Sequence, residues 1–144
     1  MRVVYPVLFY EEEEGGYSAF VPDLGNISTC GETLDETMYM AQELIAGVLL
    51  DKMEEGEKFP KESSIDKVNF KALEEYLSIK DWNYKNKFKT YIAVNLSEFA
   101  EKWGKKLVKK TVNIPQWINT KAEELNINFS KTLEEALLQK IYKE

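Results

Sequence analysis

The residues of this chain that could do chemistry are mostly carboxylates. Four consecutive glutamates, Glu11–Glu14, are followed by Asp23, Glu32, Asp35 and Glu36. Carboxylates that converge on Mg²⁺ can hydrolyse phosphodiesters. Here the glutamate run leads into Gly15-Gly16 and reads as one polar loop, and the other acids are scattered, so the spacing argues against a metal-dependent nuclease. Histidine is absent and Cys30 is the single cysteine. That removes the commonest general base, leaves a zinc site without its usual ligands, and rules out Ser–His and Cys–His nucleophiles. The expectation is a binding protein, not an enzyme, with no metal and no cofactor.

A second group of functional side chains lies in the tail. Lys109, Thr111 and Asn113 alternate with Val112 and Ile114 before Pro115. Alternation at period two puts the polar set on one face of a strand and the apolar set on the other. On a two-stranded ribbon in a DNA major groove, Asn can bond an adenine edge twice, Lys can reach guanine, and Thr can meet a polar edge or a thymine methyl. The structural alternative is a dimerisation module whose polar strand face is idle.

The elements that must position these residues follow from pattern. The 144 residues are 44% hydrophobic and 31% charged, enough to bury a core. Arg2–Tyr10 is apolar on both alternating sets and reads as a strand covered on both faces, with Pro6 better suited to an edge or bulge. Tyr17–Val21 and Ile27–Cys30 read as two further strands around a turn at 22–26. Thr33 can N-cap a helix that carries Asp35 and Glu36 in its first turn and stops at Gly56. Leu34, Met38, Ala41, Leu44, Ile45, Val48 and Leu49 form its apolar stripe. Residues 69–79 can form a short helix with Phe70, Leu73, Tyr76 and Leu77 inward, 82–87 reads as loop, 88–94 as a returning strand, and 97–105 as a short helix or connector. Residues 65–87 carry no functional signal. After Pro115 come a helix over 116–125, a break at 126–128, and a second helix capped by Ser130 and ending near Tyr142.

Charge divides the chain. Residues 1–64 hold 4 basic and 14 acidic residues, net −10; residues 65–100 are net +1 and residues 101–144 net +3. An acidic front attracts basic proteins and repels nucleic acid, and a basic tail does the reverse, although either can be a solvated face. The lone cysteine fits a reducing cytoplasm. Met1–Tyr10 is too short to span a bilayer, and with Pro6 and the glutamate run it has the wrong shape for a signal peptide.

A strand and two helices over 109–144 cannot close a core alone, and a lone strand leaves its ladder unpaired, so a two-fold dimer is expected. Its shared core would take Val112, Ile114, Trp117, Ile118, Leu133 and Leu137. The segment VKKTVNIPQWINTKAEELNINFSKTLEEALLQKI resembles the ribbon-helix-helix family. That resemblance makes Lys109, Thr111 and Asn113 the base-reading positions. It places Ser130 at a phosphate clamp, where the amides of Lys131 and Thr132 open the second helix. The usual turn glycine is missing, and Asn126 and Asn128 stand in its place.

The front half resembles the amino-terminal domain of HicB-type antitoxins, a truncated ribonuclease-H-like fold. The residues that carry this are Tyr5-Pro6, Gly16-Tyr17, Ala19, Val21-Pro22-Asp23-Leu24, Gly31 and Thr33-Leu34. Gly25-Asn26-Ile27 departs from the family's Pro-Gly-Cys. The resemblance implies an α+β chain: a β-β-β-α-β toxin-binding domain over 1–104, with 65–87 as an insertion, and a ribbon-helix-helix domain over 107–144. It implies a cytoplasmic antitoxin that covers a small basic HicA-type ribonuclease toxin and represses its own operon as an operator-bound dimer. Tyr17, Phe20, Asp23, Glu32, Asp35 and Glu36 are the candidate toxin contacts. A different reading stays open: a stand-alone ribbon-helix-helix repressor whose front domain senses a small ligand.

Overall fold

A computed structural model describes residues 1–79, 81–104 and 108–141. Its centre is a four-stranded antiparallel sheet in the order β3-β2-β1-β4, formed by β1 (Arg2–Glu12), β2 (Tyr17–Val21), β3 (Ile27–Gly31) and β4 (Tyr84–Asn95). The helices are α1 (Leu34–Glu54), α2 (Phe70–Leu77), α3 (Leu96–Lys102), α4 (Gln116–Glu124) and α5 (Phe129–Ile141). The chain is therefore α+β.

The double apolar pattern of β1 has a direct structural cause. Its odd residues Tyr5, Val7 and Phe9 face α1, which covers them with Ala41, Ile45, Ala46 and Leu49. Phe88 of β4 stacks on Phe9 across the strands at 4.9 Å. α3 closes this core with Leu96, Phe99 and Ala100. The even residues Leu8 and Tyr10 point to the opposite face, where Phe20 of β2 joins them.

The segment without a sequence signal covers that second face. Val68 and Leu73 are buried against Leu8, Tyr10 and Phe20, and Ile65, Phe70, Leu77, Trp82 and Tyr84 pack around them. Residues 57–79 and 81–83 thus form a strap across the sheet. Polar contacts pin it down: the Lys89 ammonium donates to the carbonyls of Ile65 and Val68 at 2.9 and 3.0 Å, and the Ile65 amide donates to the Tyr91 hydroxyl at 2.8 Å. Tyr5 donates to the Pro60 carbonyl from the other face. The Tyr10 hydroxyl is buried in the second core with no partner in hydrogen-bond geometry among the described residues. Burial, with the Glu74 carboxylate nearby, pushes its ionisation well above the ordinary tyrosine range.

Several expectations are corrected. β4 starts at Tyr84, so most of 82–87 is strand; β1 extends to Glu12, so Glu11 and Glu12 leave the expected loop. A bulge at Lys85 sets Glu12 opposite Tyr84 where Glu11 is opposite Asn86, and this turns Tyr84 to the strap side. Tyr76 is 65% exposed, not inward. Pro6 lies inside the central strand, where β1 pairs with β4 alone, because pairing with β2 begins at Leu8. The turn between β2 and β3 is a 3-10 turn at Pro22–Leu24 followed by left-handed Gly25 and Asn26.

In the tail no strand forms over 109–114. A ribbon strand needs a second strand for its ladder, and a single chain does not provide one. Pro115 stands at the N-cap of α4. Asn126 adopts the left-handed conformation expected of the missing glycine. No described residue beyond Trp103 enters either sheet core. The expected end of α5 near Tyr142 lies outside the described residues.

Candidate functional site: an acidic cleft and an exposed tail

The β1–β2 hairpin and the start of α1 enclose a cleft of about 630 Å³. Its walls carry the carboxylates of Glu12, Glu14, Glu32 and Glu36, the ring of Tyr17, and Ser18, Cys30 and Gly31. Local chemistry builds it. Gly15 and Gly16 turn the hairpin with positive φ, at 101° and 80°. Thr33 caps α1 by accepting from the Glu36 amide at 3.1 Å, and Glu36 accepts from the Glu32 amide at 3.1 Å. A side chain at Gly31 would come within 2.6 Å of the Thr37 hydroxyl, so the strand can meet the buried Thr37 at the start of α1 only at a glycine.

Glu12 is the most constrained of these acids. One oxygen accepts from the Ser18 hydroxyl at 2.7 Å and the other from the Trp82 indole N–H at 3.1 Å. Both donors are neutral, so neither makes an ion pair with the carboxylate. No group of three or more His, Cys, Asp or Glu among the described residues is disposed to hold a metal ion. What the cleft can do is receive a cationic side chain.

The structure divides the six expected front-half contacts. Tyr17, Glu32 and Glu36 meet in the cleft. Asp35 is exposed in the first turn of α1 and does not line the cleft. Phe20 is 8% exposed beneath the strap, so it is a core residue and not a contact. Asp23 accepts from the Ser63 amide at 2.7 Å and the Ser63 hydroxyl at 2.6 Å, which makes it a clasp for the strap. Sequence reasoning missed Glu12 by assigning the whole glutamate run to a loop, and missed Glu14 because a turn residue has no periodic neighbour to mark the face it joins. The alternation of Glu12 with Tyr10 and Leu8 on one strand face was the signal available.

In the tail, Lys109, Thr111, Asn113, Ser130 and Lys131 are all exposed. The cap of α5 is Asn128, not Ser130: its side-chain oxygen accepts from the Lys131 amide at 3.0 Å, and its carbonyl from the Thr132 amide at 3.0 Å. The amides expected to be open at this helix start are therefore engaged, and Ser130 lies within the first turn. All six expected dimer-core residues are exposed in the single chain, among them Val112 at 59%, Trp117 at 72% and Leu137 at 52%. Leu125, Ile127 and Phe129 are exposed as well. Trp117 borders a shallow groove on α4 with Thr120, Lys121 and Glu124.

A four-stranded sheet backed by helices thus carries an acidic cleft, and a basic tail carries unburied apolar residues. The chain matches the family described as "HicB_like antitoxin of bacterial toxin-antitoxin system" over residues 5–143, and it belongs to that family. Among solved structures it is similar to a chain of a toxin–antitoxin complex from Streptococcus pneumoniae, at 27% identity and a TM-score of 0.64, covering 97% of this chain and 99% of that one. The antitoxin HicB of Burkholderia pseudomallei is 22% identical at a TM-score of 0.47, with 96% of each chain covered. The antitoxin HicB3 is 20% identical at 0.48, covering 96% of this chain and 98% of that one. No curated protein matches the chain. No helix among the described residues is long and apolar enough to cross a membrane.

Proposed function

We propose that this antitoxin neutralises a HicA-type ribonuclease toxin by covering its active site with the front half, and that it represses its own operon by binding operator DNA as a dimer through its tail. The observation that carries the reading is the similarity, over nearly the full length of both chains, to one component of a toxin–antitoxin complex. A toxin that grips RNA presents a positive surface. The cleft lined by Glu12, Glu14, Glu32 and Glu36 is complementary to such a surface, and a front half of net −10 steers its approach.

The tail's part rests on its unburied apolar residues. Two tails pair their 109–114 segments as an antiparallel ribbon over four interlocked helices, a ribbon-helix-helix module. Val112, Ile114, Ile118, Leu133 and Leu137 leave water together in it. Lys109, Thr111 and Asn113 then face the major groove, and Ser130 and Lys131 lie near a phosphate. The sheet, strap and α1–α3 over 1–104 form the toxin-binding domain, a truncated ribonuclease-H-like fold.

Co-purification tests the reading. A basic protein well under about 100 residues, with ribonuclease activity of its own, is expected to come down with the tagged chain and to lose that activity in the complex. A chain that purifies without such a partner from cells expressing the neighbouring gene refutes it.

A further inference from the structure

We propose that Trp82 is a positioning residue for the toxin-facing cleft, so that the strap sets the affinity of a site it does not itself line. The inference rests on the cleft being the surface that receives the toxin.

The indole is held on several sides. It stacks on Tyr10 at 4.0 Å and 25°, and meets Phe20 and Tyr84 edge-on at 5.7 and 6.3 Å. The β4 bulge is what brings Tyr84 to this side of the sheet. A ring confined in this way aims its only polar atom in one direction, at Glu12. Indole N–H is a donor and never an acceptor, so Trp82 orients the carboxylate without pairing it with a counter-charge. Ser18 holds the other oxygen from the hairpin side. A carboxylate offers about four lone-pair sites, so these two bonds leave capacity for an incoming lysine or arginine. A glutamate fixed before the partner arrives loses less side-chain freedom on binding than a mobile one. Glu14, Glu32 and Glu36 complete the negative wall.

The test uses the full chain and, as probe, the co-purifying HicA-type toxin. Trp82→Phe keeps the stacked ring and removes the N–H. It is expected to raise the toxin Kd roughly tenfold. In a Glu12→Gln background the same change is expected to alter Kd by less than about twofold, because its effect passes through the Glu12 charge. Ser18→Ala releases the carboxylate from the opposite side and is expected to match Trp82→Phe; it carries the test if Trp82→Phe does not fold. Equal weakening in both backgrounds overturns the inference, since Trp82 then acts through general packing. So does an unchanged Kd for Trp82→Phe while the charge reversal Glu32→Lys/Glu36→Lys weakens binding. If the charge reversal also leaves Kd unchanged, the cleft is not the toxin site and the underlying reading falls.

Discussion

Asp23 and Ser63 stand 40 residues apart and are joined by two hydrogen bonds, one to the amide and one to the hydroxyl. The carboxylate sits just after β2 and the serine near the start of the strap, so the pair ties the far-face cover to the sheet. Hydrogen bonds to a charged group contribute about 1.5–3 kcal/mol each, and this part-buried pair falls below the sum because water replaces some of it. Asp23→Ala is expected to lower stability by about 2–3 kcal/mol and to leave toxin binding unchanged once the chain is folded. Thermal and denaturant unfolding check the first part, and titration with the toxin checks the second.

Gly31 meets α1 at a separation no side chain can occupy. Gly31→Ala would place Cβ 2.6 Å from the Thr37 hydroxyl and 2.9 Å from its amide nitrogen. The backbone of the first turn has to shift, at a cost of about 1–3 kcal/mol. A fall in melting temperature, together with weaker toxin binding from a displaced Glu32, is the expected outcome. An unchanged melt would show that the β3–α1 junction yields freely.

Asn113 has the side chain best suited to reading a base. Asn113→Ala is expected to weaken operator binding by roughly 1–3 kcal/mol and to relax sequence preference. Affinity should also fall with salt, with a slope near −0.9 for each phosphate neutralised. Fluorescence anisotropy on the operator and a scrambled duplex measures both. Full affinity in the variant, or a flat salt response, removes the ribbon from the contact.

The dimer has its own test. Leu133→Glu puts a charge into the apolar surface that two tails would share under the proposed dimer, while the sheet core contains no described residue of α5. Sedimentation is expected to show a monomer whose sheet still unfolds cooperatively. A dimer that survives the substitution would locate the interface elsewhere.

Sequence pattern revealed the sheet layer well where period and punctuation agree. The 3.6-residue stripe through Ala41, Ile45 and Leu49, the Thr33 cap and the stop near Gly56 all appear as expected. The double apolar pattern of β1 correctly required cover on both faces. What supplies the second cover was not legible, because Val68, Leu73 and Trp82 follow no single period: one short helix and irregular backbone carry them. Phe20 and Tyr17 alternate on one short strand, and nothing local separates the half-buried ring from the fully buried one. Ser130 and Asn128 are both competent caps, and the choice between them turned on where the chain leaves the Asn126 turn.

The position of β1 between β2 and β4 also governs how the chain is made. β2 follows within a few residues, but Arg2 pairs with Asn95. As the chain emerges from the ribosome, the hairpin can close early while the other flank of the central strand waits for β4. Contacts so distant along the chain form slowly. Throughout that wait the nascent protein presents an open strand flank and a bare apolar face, the surfaces through which incomplete chains stick to one another.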